Sequence, residues 1–300
     1  MDLPSIDDPQ TAGACAAILG IPFDCGNHPY RIGSRLGPDA IRQQSLLIRP
    51  YRTGFENENP IESLGLLDAG NVDCRPGDVE ITYPAIEGAV GALLSAGIAP
   101  ITMGGDGTVT LPQLRALAKN NPDLVVLHLD SHTDAYPLEG YNTATSFSRA
   151  AEEGIVDTTH SYHVGARGNT FMPAALSHAV ALGYQVVTHE QLRAEGTVPC
   201  MRRIAREIGE RPVYLCFDMD VFDPSCAPGV CTPEWGGLLA EEGLNALRAL
   251  TGLNFVAFDV NTVSPPHDTA GMTALLAATV MYECTALAAA SARIGQSRRG

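Results

Sequence analysis

Basic residues are scarce in this 300-residue chain: 19 Lys and Arg stand against 34 Asp and Glu, for a net charge of −15 and a pI of about 4.8. A phosphate-binding surface needs clustered cations, so this balance argues against a nucleic-acid partner. CxxC pairs are absent. The eight cysteines (Cys15, Cys25, Cys74, Cys200, Cys216, Cys226, Cys231 and Cys284) are scattered, several of them inside apolar runs. That spacing excludes a zinc ribbon and fits small buried hydrophobes in a reducing, cytoplasmic setting. The N-terminus has neither a basic start nor a long apolar stretch, so no signal peptide is expected. The long run poor in charge, 270–293, carries Glu283 and reads as a buried terminal helix rather than a membrane span. No Ser/Gly linker, repeat or low-complexity tract divides the chain, so a single domain over 1–300 is expected.

What is present is an apolar fraction of 45% against 18% charged, enough for a sizeable core. Short apolar runs at 14–23, 98–103, 124–129, 161–164, 184–188, 213–217 and 255–260 read as strands, several of them apolar on both faces. Helix-like segments lie between them at 83–96, 111–120, 172–182, 200–209 and 241–250. The alternation predicts an α/β fold: a three-layer α/β/α sandwich around a mostly parallel central sheet. In such sheets ligands sit beyond the carboxyl ends of the strands. Asp106, Asp130, Asp218 and Asp259 are all expected at those ends.

Two motifs concentrate charge there. In His128-Leu-Asp-Ser-His-Thr-Asp134, residues Asp130, His132 and Asp134 alternate at the end of one apolar run. In Cys216-Phe-Asp-Met-Asp-Val-Phe-Asp-Pro224, Asp218 and Asp220 alternate at the end of another. Alternate strand residues share a face. Adjacent strands ending this way would gather four carboxylates and an imidazole that repel without a counter-charge. One or two divalent cations resolve the repulsion, and manganese or nickel suits the donor set.

These motifs, with Gly104-Gly-Asp-Gly107 and the run from Ala227-Pro-Gly to Thr232-Pro-Glu-Trp-Gly-Gly237, resemble the signatures of the ureohydrolase superfamily, which includes arginase, agmatinase, guanidinobutyrase and formiminoglutamase. The resemblance extends through roughly 20–283. It implies an arginase-like fold and hydrolysis of a small guanidine- or amidine-type substrate by water activated on two divalent ions. It also implies that Asp130 and Asp218 bridge the ions. His132 and Asp220 would complete one site, and Asp134 would belong to the other. Asp134 and Asp220 are taken as catalytic as well as ligating. Asp106 is expected behind the ligands, holding their geometry. His128, one step deeper in its strand, reads as structural. Arg167 reads as structural or interfacial, Glu234 as a buried ion-pair partner, Asp223 as a turn residue, and Tyr136 and Trp235 as candidates for the pocket mouth.

Three positions depart from the family pattern. Gly107 stands where the first signature ends in a metal-binding histidine. Thr143 stands where a proton-shuttling histidine follows the second. Thr262, in Asp259-Val-Asn-Thr-Val-Ser-Pro265, stands where a glutamate pairs with the guanidinium. Losing that partner costs a guanidinium about 1.5–3 kcal/mol. Occupancy by metal is therefore expected to be partial or absent, and a histidine restored at 107 should raise it. Two readings follow. In the first, this chain is a weakly catalytic or non-catalytic subunit of a heteromeric hydrolase, of metformin-hydrolase type, within the superfamily's common trimers and hexamers. In the second, it is a self-sufficient amidinohydrolase with an altered substrate. A metal- or ligand-binding non-enzyme is the remaining alternative.

Overall fold

The computed structural model describes residues 3–5, 13–25, 30–53, 58–291 and 294. Eight strands form one sheet: β1 (Ala16–Gly20), β2 (Leu67–Asn71), β3 (Ala99–Met103), β4 (Val125–Leu129), β5 (Tyr162–Ala166), β6 (Gln185–Thr188), β7 (Val213–Asp218) and β8 (Phe255–Asn261). Their order is β2-β1-β3-β8-β7-β4-β5-β6. Every pairing is parallel. The apolar runs form fully buried strands. β1, β3, β4, β5, β7 and β8 are buried at every residue, as a sheet covered on both faces requires. All seven strand readings correspond to strands. β2 was not read as one, because Leu67-Asp-Ala-Gly-Asn71 lies at the sheet edge and only its leucine is fully buried.

Helices cover both faces and complete the three layers. One face carries α1 (Gly37–Ser45), α2 (Pro60–Leu64), α7 (His189–Glu195), α8 (Thr197–Ile208), α9 (Ala240–Arg248) and α10 (Met272–Ala290). The other carries α3 (Val79–Ser95), α4 (Thr110–Ala118), α5 (Ser146–Glu152) and α6 (Ala175–Ala181). Helix α1 and the short helices α2, α5 and α7 escaped a reading based on apolar period. α2 and α7 are set by their caps instead. Asn59 accepts from Glu62 N ahead of Pro60, and Thr188 and Gln191 form a reciprocal capping box.

The apolar C-terminal run is α10; residues 292 and 293 of that reading lie outside the described residues. This helix is long and apolar enough to cross a membrane by composition, yet its Ala, Val, Met and Leu side chains pack into the core. Glu283 in its middle is buried and meets Arg52 Nη1 at 3.0 Å and Arg248 Nε at 2.9 Å. The pairing ties α10 to α9 and to the loop after α1. Both arginines are about a third exposed, which discounts the 3–5 kcal/mol lost when a fully buried pair is broken. Glu283→Gln is expected to cost roughly 2 kcal/mol, read as a shift in the urea midpoint at constant slope.

Candidate metal centre

The site forms where the central strands end. β4 and β7 pair in register, Leu129 opposite Phe217, so the next residues, Asp130 and Asp218, arrive side by side. Asp218 caps the 3-10 turn Met219–Val221 by accepting from Asp220 N at 2.9 Å, which turns Asp220 back toward β4. Asp220 Oδ1 then accepts from Ser131 N at 3.1 Å and Ser131 Oγ at 2.6 Å. On the β4 side, Asp130 Oδ1 accepts from His132 N at 2.7 Å. His132 Nδ1 lies 3.2 Å from Asp130 Oδ1 and 3.3 Å from Asp220 Oδ2. The motifs are thus brought together as their alternation predicts. Asp130, Asp134, Asp218 and Asp220 are each at most 5% exposed.

Two backbone departures support the cluster. Asp134 has φ +46° and Thr262 has φ +68°, left-handed conformations costing about 1–3 kcal/mol each for residues other than glycine. At Thr262 the bend lets Oγ1 donate to Asp218 Oδ1. The residue therefore braces a carboxylate of the cluster. Its neighbour Asp259 does not join the site. Although read as a strand-end residue, it lies two residues before the end of β8 and is bonded by Thr102, Thr110, Tyr214 and Asn261 within the core.

Burial dominates the electrostatics. It raises the Asp134 carboxyl well above its ordinary value, reinforced by Asp130 and Asp220. Asp218 is raised by burial together with Asp220 and Asp130, and Asp220 by burial with Asp130. Asp130 behaves oppositely: burial pushes it up, but His128 and His132 outweigh that and hold it well below. His132 is lifted well above its usual range because Asp220 and Asp130 overcome its desolvation. In addition, Asp130 Oδ2 is buried without a hydrogen-bond donor. Repelling carboxylates, an imidazole and an orphaned carboxylate oxygen fit a divalent cation, and an oxygen-and-imidazole set suits Mn²⁺ or Ni²⁺. Asp130, His132 and Asp220 can each supply one donor atom, all within 4.8 Å of one another.

The carboxylates floor a cavity of about 420 Å³. Asp106 also lines it, accepting from Cys25 N at 2.9 Å and Thr108 N at 3.0 Å. One wall is Tyr136, on which Phe171 stacks with ring centroids 5.2 Å apart and planes 9° apart. Burial and the nearby Asp134 push the Tyr136 phenol up to about 12, although His132 opposes them, so it remains a hydrogen-bond donor. Phe171 was missed because a lone aromatic in the loop after β5 carries no periodic signal. Trp235 is 74% exposed and does not line the cavity, contrary to its reading. Glu234 corrects another expectation. It is half-buried at the cavity and, among the described residues, has no ion-pair partner. Arg167 Nη2 instead binds the carbonyls of Asp220, Phe222 and Glu234, fixing the loop after β7. Asp223 accepts from the backbone of Ser225, Gly236 and Gly237, as a turn residue does.

Of the three departing positions, Thr143 and Thr262 line this cavity, and Gly107 lies beside Thr143 and Asp134. A Cβ at Gly107 would sit 2.9 Å from Asp134 Oδ2 and 3.0 Å from Thr143 Cγ2. The space beside Gly107 is therefore filled, by Thr143, whose hydroxyl lies 3.3 Å from that of Thr108. This runs against the expectation that a histidine at 107 alone would improve the site. Gly105 is constrained more severely: its Cβ would fall 1.5 Å from Phe23 O, so only glycine lets these segments meet.

An eight-stranded parallel sheet bearing paired Asp-x-His-x-Asp and Asp-x-Asp ends defines a class of hydrolases, and the chain matches the Arginase family over residues 14–287. It belongs to that family. Guanidinobutyrase from Pseudomonas aeruginosa is 36% identical over 287 residues, covering 94% of this chain and 89% of that protein. Mitochondrial agmatinase from Gallus gallus is 34% identical over 274 residues, covering 90% and 80%. The solved structure of proclavaminate amidinohydrolase from Streptomyces clavuligerus superposes with a TM-score of 0.89 at 35% identity, covering 95% of this chain and 94% of that one.

Proposed function

We propose that this chain, as a single domain over 1–300, is a self-sufficient, metal-dependent amidinohydrolase that cleaves a C–N bond of a small guanidino compound. The observation that carries this reading is the buried convergence of Asp130, His132 and Asp220, with Asp134 and Asp218, on the floor of a substrate-sized cavity. Relatives named as guanidinobutyrase, agmatinase and proclavaminate amidinohydrolase support the substrate class. Asp130 and Asp218, with the groups around them, would hold a pair of Mn²⁺ or Ni²⁺ ions. His132 and Asp220 would serve one ion, and Asp134 the other. Bound ions supply Lewis acidity, lowering the pKa of water and polarising the amidine carbon. The chain's own groups do the rest. Ser131 and Thr262 fix the carboxylates, Asp134 and Asp220 orient the reacting groups, and Tyr136 with Phe171 excludes water along one wall. The replacement of the guanidinium-pairing glutamate by Thr262 points to a substrate less dependent on charge pairing there.

Gly107, Thr143 and Thr262 support a second reading, in which the chain is a weakly active subunit assembled with another arginase-family chain. Urea release by the purified chain alone, across guanidino acids, agmatine and biguanides, decides between them. Turnover of any of these supports self-sufficiency. Inactivity of this chain together with activity on adding a second ureohydrolase-fold chain favours the heteromer.

Because Asp134 and Asp218 titrate above the ordinary carboxylate range, ion loading must displace protons. Apparent Mn²⁺ affinity is expected to fall as pH drops from neutral to mildly acidic, with proton release measurable by calorimetry in buffers of different ionisation heat. In the metal-free protein the sign reverses. These raised groups contribute stability that is full below the unfolded carboxylate range and lost as pH rises through their folded-state values.

A further inference from the structure

We propose that His128 ligates the second divalent ion through Nε2, supplying from within the sheet the imidazole that Gly107 cannot. The inference rests on the metal-dependent reading above and extends it to a residue read above as structural. His128 lies in β4 and Asp130 directly follows its end, two positions on, so the two share a face. His128 Nε2 lies 2.9 Å from Asp130 Oδ2, both groups being 1% exposed. Apart from this approach by His128, that oxygen has no hydrogen-bond partner. Two donors bound about 2.0–2.2 Å from one ion, at right angles, stand about 3 Å apart. The spacing therefore suits neighbouring ligands of a shared cation. Asp134 provides a third atom, and the three donors lie within 4.8 Å of one another.

The arrangement gives Asp130 one oxygen for each centre. Oδ1 faces His132 and Asp220, and Oδ2 faces His128. The left-handed backbone at Asp134 keeps its carboxylate with the cluster. His128 is also oriented from behind. Its Nδ1 lies 2.9 Å from His163 Nδ1, so one proton is shared between them. With that proton donated by His128, its Nε2 keeps a lone pair for the ion, and His163 stands in for the carboxylate, carbonyl or water that usually accepts from a ligating histidine. Phe147 and Tyr184 hold the His163 ring by edge contacts at 5.0 and 4.6 Å. On the other side of Asp134, a side chain entering from position 107 would meet Thr143 Cγ2 already at its Cβ, 3.0 Å away.

The test uses the full chain titrated with Mn²⁺. Wild type should take up two ions, and His128→Gln should lose one of them or weaken it more than about 100-fold, beyond the 10–100-fold typical of outer partners. Glutamine keeps an N–H able to reach Asp130 but is a poor ligand. Two ions retained at near-parental affinity would overturn the assignment and make His128 a hydrogen-bond donor. A second measurement needs no substitution: electron spin-echo modulation of the Mn²⁺-loaded wild type, with ¹⁵N-histidine, counts coordinated imidazoles. Two are expected. Two ions with a single imidazole would sink the His128 assignment while sparing the proposed function, whereas no bound ion would sink both.

Discussion

Asp218→Asn is expected to reduce urea release by about a thousandfold, or roughly 4 kcal/mol of transition-state stabilisation, and to leave at most one ion per chain. The amide keeps the shape that Thr262 Oγ1 and Asp220 N hold in place, so packing is not the cause. What changes is charge. Asp218 is 2% exposed beside Asp220 and Asp130, and its carboxyl is driven up first by burial and then by those neighbours. Removing a repelling charge should make the metal-free variant more stable than the metal-free parent, by about 1–2 kcal/mol. The metal-loaded variant should be less stable than the loaded parent, having lost ligand-linked stabilisation. Thermal midpoints with and without chelator therefore move in opposite directions. If both fall together, the residue acts through packing and the proposed centre is wrong.

Gly107→His gives the second large effect, and its sign is the opposite of what the motif alone implies. The new Cβ meets Asp134 Oδ2 at 2.9 Å and Thr143 Cγ2 at 3.0 Å before any ring is placed. Overpacking of this kind costs about 1–3 kcal/mol. It also pushes on Asp134, so ion uptake should fall rather than rise. Thr143→Ala removes the obstructing methyl, because Thr143 Cβ itself is 3.9 Å away. The double variant should recover stability and ion uptake beyond the sum of the single changes, a coupling that a double-mutant cycle measures directly. Strictly additive effects would show that Thr143 does not fill the position.

Much of this molecule is readable from its letters because burial on both faces imposes a simple code. The runs at β4, β7 and β8 are mostly apolar and buried throughout, and the Asp-x-His-x-Asp and Asp-x-Asp endings follow directly from alternation. The reading fails where identity depends on depth or on a neighbour distant in sequence. Asp259 has the sequence position of a strand-end acid, but β8 continues two residues past it and buries it. His128 reads as structural because a strand's alternation fixes its face without fixing how far its ring reaches toward Asp130. Gly107 reads as a vacancy, since nothing local reveals that Thr143 lies against it. Glu234 reads as an ion-pair partner, yet Arg167 spends its guanidinium on backbone carbonyls.

The strand order carries a consequence for how the chain matures. β3 hydrogen-bonds on one side to β1 and on the other to β8, the last strand made. The unit β2-β1-β3 is therefore joined to the remainder through a partner synthesised about 150 residues later. At about 5–20 residues per second, the free edge of β3 waits on the order of ten seconds on the ribosome. An unpaired apolar strand edge is a template for aggregation during that interval. Asp130 and Asp218 can be brought into register by β4 and β7 alone, but Thr262, which braces Asp218, follows β8. Ion capture in its final geometry thus becomes a checkpoint on completed synthesis, and yield should respond to chaperone supply and slowed translation more than to metal added early.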